Sequence, residues 1–302
     1  MTVFVILPIF LIVFAGWLMK KARVADDAWF DVLNRFAYYV ALPAVIVSSL
    51  WGINFLSREI LDAALLSLLT ILLFSLAVFL ALSLFKIGNN LKSALFITAT
   101  AGNTIYMGFP LVKLGYGEAY FATGALVGAI YLIIPLLLSI FIIRFWSSKE
   151  HHLLTEIAYF LKNPLVISFA IGVILSFLRL EGPLALAFKE AILMLGATAS
   201  PAALFALGGF MQGRFLKENI KLTAFAVFLK MIGFLVFLKI VNYFWQIEDF
   251  KVFALLGSMP VAVTAFIIAE RFKLQSDLVA NAILVSTILS FILVPIVMMI
   301  FP

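Results

Sequence analysis

Apolar residues in this chain run in long unbroken stretches separated by short polar loops. Ten stretches approach the length of a membrane crossing, at 2–19, 30–51, 60–85, 92–114, 118–145, 157–178, 184–211, 219–241, 250–270 and 278–301. A spanning helix needs about 20 apolar residues. The stretches are continuous and do not alternate every second residue, so they predict helices and not barrel strands. The first lacks a basic start and a small-residue cleavage site and is followed by Lys20, Lys21 and Arg23, so it reads as a span and not as a signal peptide. The longest polar segment, Trp146 to Glu156, falls at the midpoint.

Composition sharpens this picture. The 302 residues are 65% hydrophobic and 12% charged, where a soluble domain is near half apolar and a quarter charged. One core of this size cannot hide the excess. A soluble enzyme, a disulfide scaffold and a disordered chain are thereby excluded. The chain has no cysteine, hence no thiolate nucleophile or thiolate metal site. Its histidines, His151 and His152, are adjacent in the polar midpoint loop. Neither a metal nor any other cofactor is expected. No Ser/His/Asp grouping or phosphate loop is visible, so the chain reads as a non-enzyme and not as an ATP-driven pump. The net charge of +6 reads as basic cytoplasmic loops, with no call for a nucleic acid partner. Loops carrying Lys20, Lys21, Arg23, Lys86, Lys92, Arg144, Lys149, Lys162, Arg214, Lys217, Lys221, Arg271 and Lys273 are richer in basic residues than the alternate set carrying Arg58, Lys113, Arg179, Lys189, Lys239 and Lys251. The richer side is cytoplasmic by the positive-inside rule, which places both termini of this inner-membrane protein outside the cytoplasm.

The halves overlay. Pro8 and Gly16 fall on Pro164 and Gly172, Pro43 on Pro201, and Gly102-Asn103 on Pro260-Val261, at a nearly constant offset. Each half has five stretches, so the second half must enter the membrane upside down. The expected fold is an all-α membrane protein of ten transmembrane helices in two inverted five-helix repeats, 1–145 and 157–302. Inverted repeats characterise secondary transporters, whose substrates bind at mid-membrane where discontinuous helices meet.

Two stretches carry helix breakers at their centres. The fourth reads Thr98-Ala99-Thr100-Ala101-Gly102-Asn103-Thr104-Ile105-Tyr106-Met107-Gly108-Phe109-Pro110, and the ninth Leu256-Gly257-Ser258-Met259-Pro260. Proline removes a donor and clashes with the preceding turn, and glycine loosens the backbone. Breaks are expected near Gly102–Gly108 and Gly257–Pro260, shaped by Gly108, Pro110 and Gly257. The alternative is close packing on small residues with a proline kink. Half-helix N-termini suit a carboxylate and half-helix C-termini a cation. The substrate site is then Gly102, Asn103, Thr104, Ser258, Pro260 and Thr264, with the Asn103 amide able to donate and accept at once.

These motifs resemble the auxin efflux carrier family. Gly102-Asn103-Thr104, then Met107-Gly108-Phe109-Pro110-Leu111 and Gly117, is similar to its Asn/Gly/Pro signature. Asn163-Pro164, Pro201-Ala202-Ala203-Leu204-Phe205, Leu207-Gly208, Ser258-Met259-Pro260 and Ala269-Glu270 are similar to later landmarks. The resemblance covers almost the whole chain. It implies a bile-acid-transporter-like fold, with helices 1, 2, 6 and 7 as scaffold, helices 3–5 and 8–10 as moving transport domain, and crossovers in helices 4 and 9. It further implies that Asn103 contacts a substrate carboxylate, that Pro110 and Pro260 shape the crossovers, and that two copies pair through the scaffold as a homodimer. Plant members have a glutamine four positions before the second crossover proline. Here that position is Leu256, which counts against indole-acetate recognition.

Lys230 lies near the middle of the eighth stretch, about 13 Å along a helix axis from Lys221 and Lys239. From there an amine does not readily reach water. Two readings stand: a fixed cation that attracts an anion or replaces a sodium ion at crossover carbonyls, or one half of a structural ion pair. The leading function is a secondary carrier moving a small organic anion, auxin-like or dicarboxylate, by elevator-type alternating access. The alternatives are a sodium- or proton-coupled symporter or exchanger, and a ligand sensor without transport.

Overall fold

The computed structural model describes residues 2–146, 161–178, 180–210 and 220–302. The histidine pair, most of the midpoint loop, the start of the sixth apolar stretch, and Lys149, Arg179, Arg214 and Lys217 lie outside the described residues.

Among the described residues every regular element is helical, apart from one isolated antiparallel bridge. Six helical stretches among the described residues are long and apolar enough to cross a membrane: Asp27–Trp51, Arg58–Leu84, Glu118–Trp146, Pro183–Phe210, Ile220–Trp245 and Ser276–Ile300. A helix satisfies its own backbone, which is what hydrocarbon demands.

The chain begins with α1 (Thr2–Lys21), then α2 (Asp27–Phe36) and α3 (Leu42–Trp51) joined by a wide π-turn at Ala37–Ala41. Next come α4 (Arg58–Leu84), α5 (Asn89–Thr100), a second π-turn at Thr104–Gly108, α6 (Phe109–Tyr116) and α7 (Phe121–Trp146). The second half holds α8 (Pro164–Leu178), α9 (Pro183–Ala197), α10 (Ala199–Phe210), α11 (Ile220–Phe228), a π-turn at Leu229–Gly233, α12 (Phe234–Trp245), α13 (Phe250–Gly257), α14 (Val263–Arg271) and α15 (Ser276–Ile300).

Local signals explain several boundaries. Asp26 caps α2 by accepting the Trp29 N–H at 3.0 Å. Asn163 accepts the Leu165 N–H at 2.9 Å, and Pro164 opens α8 where its missing donor costs nothing. The first two π-turns each end two residues before a proline, Pro43 and Pro110. A proline ring clashes with the carbonyl four residues earlier, and widening the turn that holds this carbonyl relieves the clash without breaking the helix.

The chain forms two compact units. The first comprises Met1–Leu61, Ile105–Ala129 and Leu161–Arg214, the second Asp62–Thr104, Ile130–Phe160 and Phe215–Pro302. In the first, α1 packs on α10 backbone to backbone: a Cβ at Gly16 would collide with the Phe205 carbonyl, and one at Gly208 with that of Val13. In the same unit α8 lies on α3, where a Cβ at Gly172 would come within 2.8 Å of the Leu50 side chain. Close approach through small residues is how apolar helices gain packing energy where no water drives them together. The core of the second unit is aromatic. Phe234 lies 4.6 Å from Phe74 and 5.1 Å from Tyr131, centroid to centroid, and the buried Tyr131 hydroxyl pairs with Thr70 Oγ1 at 3.0 Å.

The fourth and ninth apolar stretches are both interrupted, the fourth more narrowly than its glycines and proline suggest and the ninth two residues further, past Pro260. In the fourth, only Ala101–Asn103 is non-helical. Gly108 has φ −65° and ψ −47°, an ordinary helical conformation, so the π-turn absorbs Pro110 and the break stays upstream. In the ninth, Gly257 is the last helical residue and the helix resumes at Val263.

Candidate functional site

The two interruptions meet inside the second unit. The chain leaves α5 as Ala101 turns to extended angles, φ −82° and ψ 115°. It re-enters a helix at α14 after Ala262, φ −69° and ψ 136°. Between these points Gly102 and Val261 pair as an antiparallel bridge. The Asn103 N–H donates to the Pro260 carbonyl at 2.7 Å, and the Ala262 N–H donates to the Ala101 carbonyl at 3.0 Å. Pro260 contributes only its carbonyl here, so its missing N–H is not felt. The Val261 N–H, turned away from the bridge, donates to Ser286 Oγ of α15 at 3.0 Å, and that hydroxyl donates to the Ile283 carbonyl at 3.1 Å. The Asn103, Val261 and Ala262 N–H groups and the Ala101 and Pro260 carbonyls thus find partners at the crossing itself, as buried backbone must where water is scarce.

The bridge treats its two segments alike. Each offers the N–H of the residue after the bridging position and the carbonyl of the residue before it. This equates Asn103 with Ala262, one residue beyond the Asn103–Val261 match of the sequence overlay.

Side chains make the site unequal. Asn103 is 2% exposed and neither its amide nitrogen nor its oxygen has a hydrogen-bond partner. A buried polar group left unpaired costs about 1–3 kcal/mol, so such a group in a packed interior calls for a functional account. Thr264, in the first turn of α14, is buried with its hydroxyl also unpartnered. Thr104, Gly102 and Pro260 are buried at the same crossing. The Ser258 hydroxyl donates to the Leu255 carbonyl at 2.7 Å, which ties it to the last turn of α13. Helices resume at Thr104 and Val263. N–H groups of a first turn point out of the helix and carry its positive end, so both resumptions favour an anion.

Lys230 approaches the same crossing from the π-turn between α11 and α12. It is 1% exposed, and its Nζ donates to the Gly257 carbonyl, the end of α13, at 2.9 Å. The amine lies 5.4 Å from the Phe234 ring centroid. A Cβ added to Gly102 would come within 3.0 Å of Lys230 Cε and 3.1 Å of Nζ. No described carboxylate forms an ion pair with it. The lysine therefore lies against both breaks, in the interior of the unit.

Gly108 and Pro110 belong to the first unit. Pro110 lines a cavity of about 400 Å³ there, together with Pro8, Val45, Ser49 and Pro201. Both Gly108 and Pro110 lie in continuous helix downstream of the non-helical residues. Ser286 escaped the sequence reading. Its signal was a set of small polar residues, Ser286, Thr287 and Ser290, which with Asn281 are the polar positions of the tenth stretch, and the three are fully buried.

The chain matches the family model described as "Membrane transport protein" over residues 2–298. It is 23% identical over 298 residues to an uncharacterized transporter of Methanocaldococcus jannaschii, covering 96% of each chain. It is 27% identical over 305 residues to the "Putative malonate transporter" of Rhizobium meliloti, covering 94% of this chain and 91% of that one. An uncharacterized transporter of Methanothermobacter thermautotrophicus is 24% identical over 302 residues, covering 96% and 95%.

Proposed function

The chain belongs to the membrane transport protein family, and from that premise we propose that it is a secondary carrier for small organic anions. The observation that carries this reading is Asn103: a buried amide with both atoms unpartnered, in the first of two helix breaks that bridge one another. A carboxylate supplies acceptors for the amide N–H. The helix starts at Thr104 and Val263 add partial positive charge, and the Thr264 hydroxyl adds a further donor. Gly102 and Pro260 let the two backbones approach, and Thr104 and Ser258 complete the lining. The name of the Rhizobium meliloti relative makes a short dicarboxylate the first substrate to try.

In this reading the chain is an integral protein of the inner membrane with ten spans in two inverted repeats, and basic loops on the cytoplasmic side set its orientation. The α1–α10 and α3–α8 contacts support the repeat, since the overlaid Gly16 and Gly172 both serve as close-packing points. Helices 1, 2, 6 and 7 act as scaffold, pairing two copies, while the crossing moves with the transport domain in an elevator cycle. An inside-negative potential favours export of the anion by about 2.3 kcal/mol per charge per 100 mV.

Purified protein in liposomes tests this. Labelled malonate, with a panel of short mono- and dicarboxylates as competitors, is expected to show saturable flux that responds to an imposed potential. Flux no greater than that of protein-free liposomes for every acid in the panel would remove the organic anion reading.

A further inference from the structure

A broken helix leaves a cluster of carbonyl oxygens at its C-terminal end, a place that in a dry interior asks for a cation. Here α13 ends at Gly257, and its carbonyl receives the Lys230 ammonium at 2.9 Å. Three further facts single out this contact. Lys230 is 1% exposed, so its amine is shut off from bulk solvent. No described carboxylate pairs with it. And the other break makes room for it: any side chain at Gly102 would lie within 3.0 Å of Lys230 Cε and 3.1 Å of Nζ. The lysine rises from a π-turn, Leu229–Gly233, whose extra residue re-aims side chains relative to a regular helix.

We infer that the Lys230 ammonium is a tethered cation: it fills the cation position at the carbonyl end of the second break, so that the crossing is held together without sodium or another free monovalent ion. This deepens the carrier reading by fixing how the site is charged, and it rests on that reading only for its relevance to transport. A covalently attached charge costs no ion-binding entropy and is present at every step of a cycle, whereas a free ion couples each turnover to its own gradient. Gly102 is then a specificity-determining position of a second kind, kept small so that the ammonium can bridge the two breaks.

Cation-dependent melting of the full chain in detergent is the test, with sodium, methylammonium and choline chlorides as the probes. Wild type should melt at the same temperature in all three, because its cation position is already filled. Lys230→Ala vacates a volume beside the Gly257 carbonyl, and a small cation should bind there. Its melting temperature is expected to rise by about 3 °C or more in methylammonium or sodium over choline. Lys230→Ser, with slightly less volume vacated and a hydroxyl introduced, is the second variant and should respond in the same direction. A wild type stabilised by sodium over choline overturns the inference, as does a folded variant that ignores both small cations. A variant that folds only in methylammonium supports it; failure of both variants to fold in any of the three salts overturns it, since the cation is then not replaceable. Melting needs no substrate, so this outcome is independent of whether an organic anion is carried.

Discussion

At the first interruption, Ala101–Asn103, the side chain left over is an amide with neither atom partnered. At the second, Ser258–Ala262, nothing comparable is left over: Ser258 returns its hydroxyl to Leu255, Pro260 has no donor, and Val261 and Ala262 are hydrocarbon. The backbone solution is nonetheless shared, since each segment gives one N–H and one carbonyl to the other. The second break instead recruits charge from outside its own segment, through Lys230 on the Gly257 carbonyl. The two breaks are thus matched in backbone pairing and divided in side-chain chemistry, one holding an unpartnered amide and the other an ammonium on its terminal carbonyl. In the carrier proposed above, recognition falls to the first and charge compensation to the second.

Three substitutions break or sharpen that contrast. The largest effect on folding is expected from Gly102→Val, which drives a branched side chain into Lys230 Cε and Nζ, 3.0 and 3.1 Å from a Cβ at that position. Overpacking of this kind costs about 1–3 kcal/mol, readable as a lowered midpoint in thermal or denaturant unfolding. Ser286→Ala comes next. It strips the Val261 N–H of its acceptor and should cost about 1 kcal/mol of stability, while the affinity for a bound carboxylate stays at the wild-type value. Thr264→Val is the mildest. The hydroxyl has no partner to lose, so stability should stay within about 0.5 kcal/mol of wild type, and any loss should appear in affinity, by less than about tenfold. A Thr264→Val variant that unfolds easily would show this hydroxyl to be structural.

The sequence made the breaks visible because glycine and proline act locally, and their effect on a helix does not depend on what packs against them. It misplaced their extent for the same reason. Pro110 reads as a breaker, yet widening Thr104–Gly108 into a π-turn accommodates it, and whether a turn widens is decided by surrounding packing. Asn103 and Lys230 stood out because polar and charged groups are costly in an apolar stretch. Their surroundings did not: that the Lys230 amine would end on the Gly257 carbonyl, over Gly102, depends on contacts far apart in the chain. Ser286 was hidden for a milder reason, since a serine in an apolar helix usually bonds its own preceding turn and gives no sign when it also accepts from a distant N–H.

The measurement that bears most directly on the account is malonate flux and melting temperature compared side by side for wild type and Asn103→Ala. Because the amide has no protein partner, its removal is expected to leave the melting temperature unchanged or slightly raised. Binding should weaken by about 1–3 kcal/mol as the carboxylate loses its donor, with flux falling accordingly. Undiminished flux in a fully folded Asn103→Ala, or a melting temperature that drops as flux is lost, would contradict the assignment of this crossing as the substrate site.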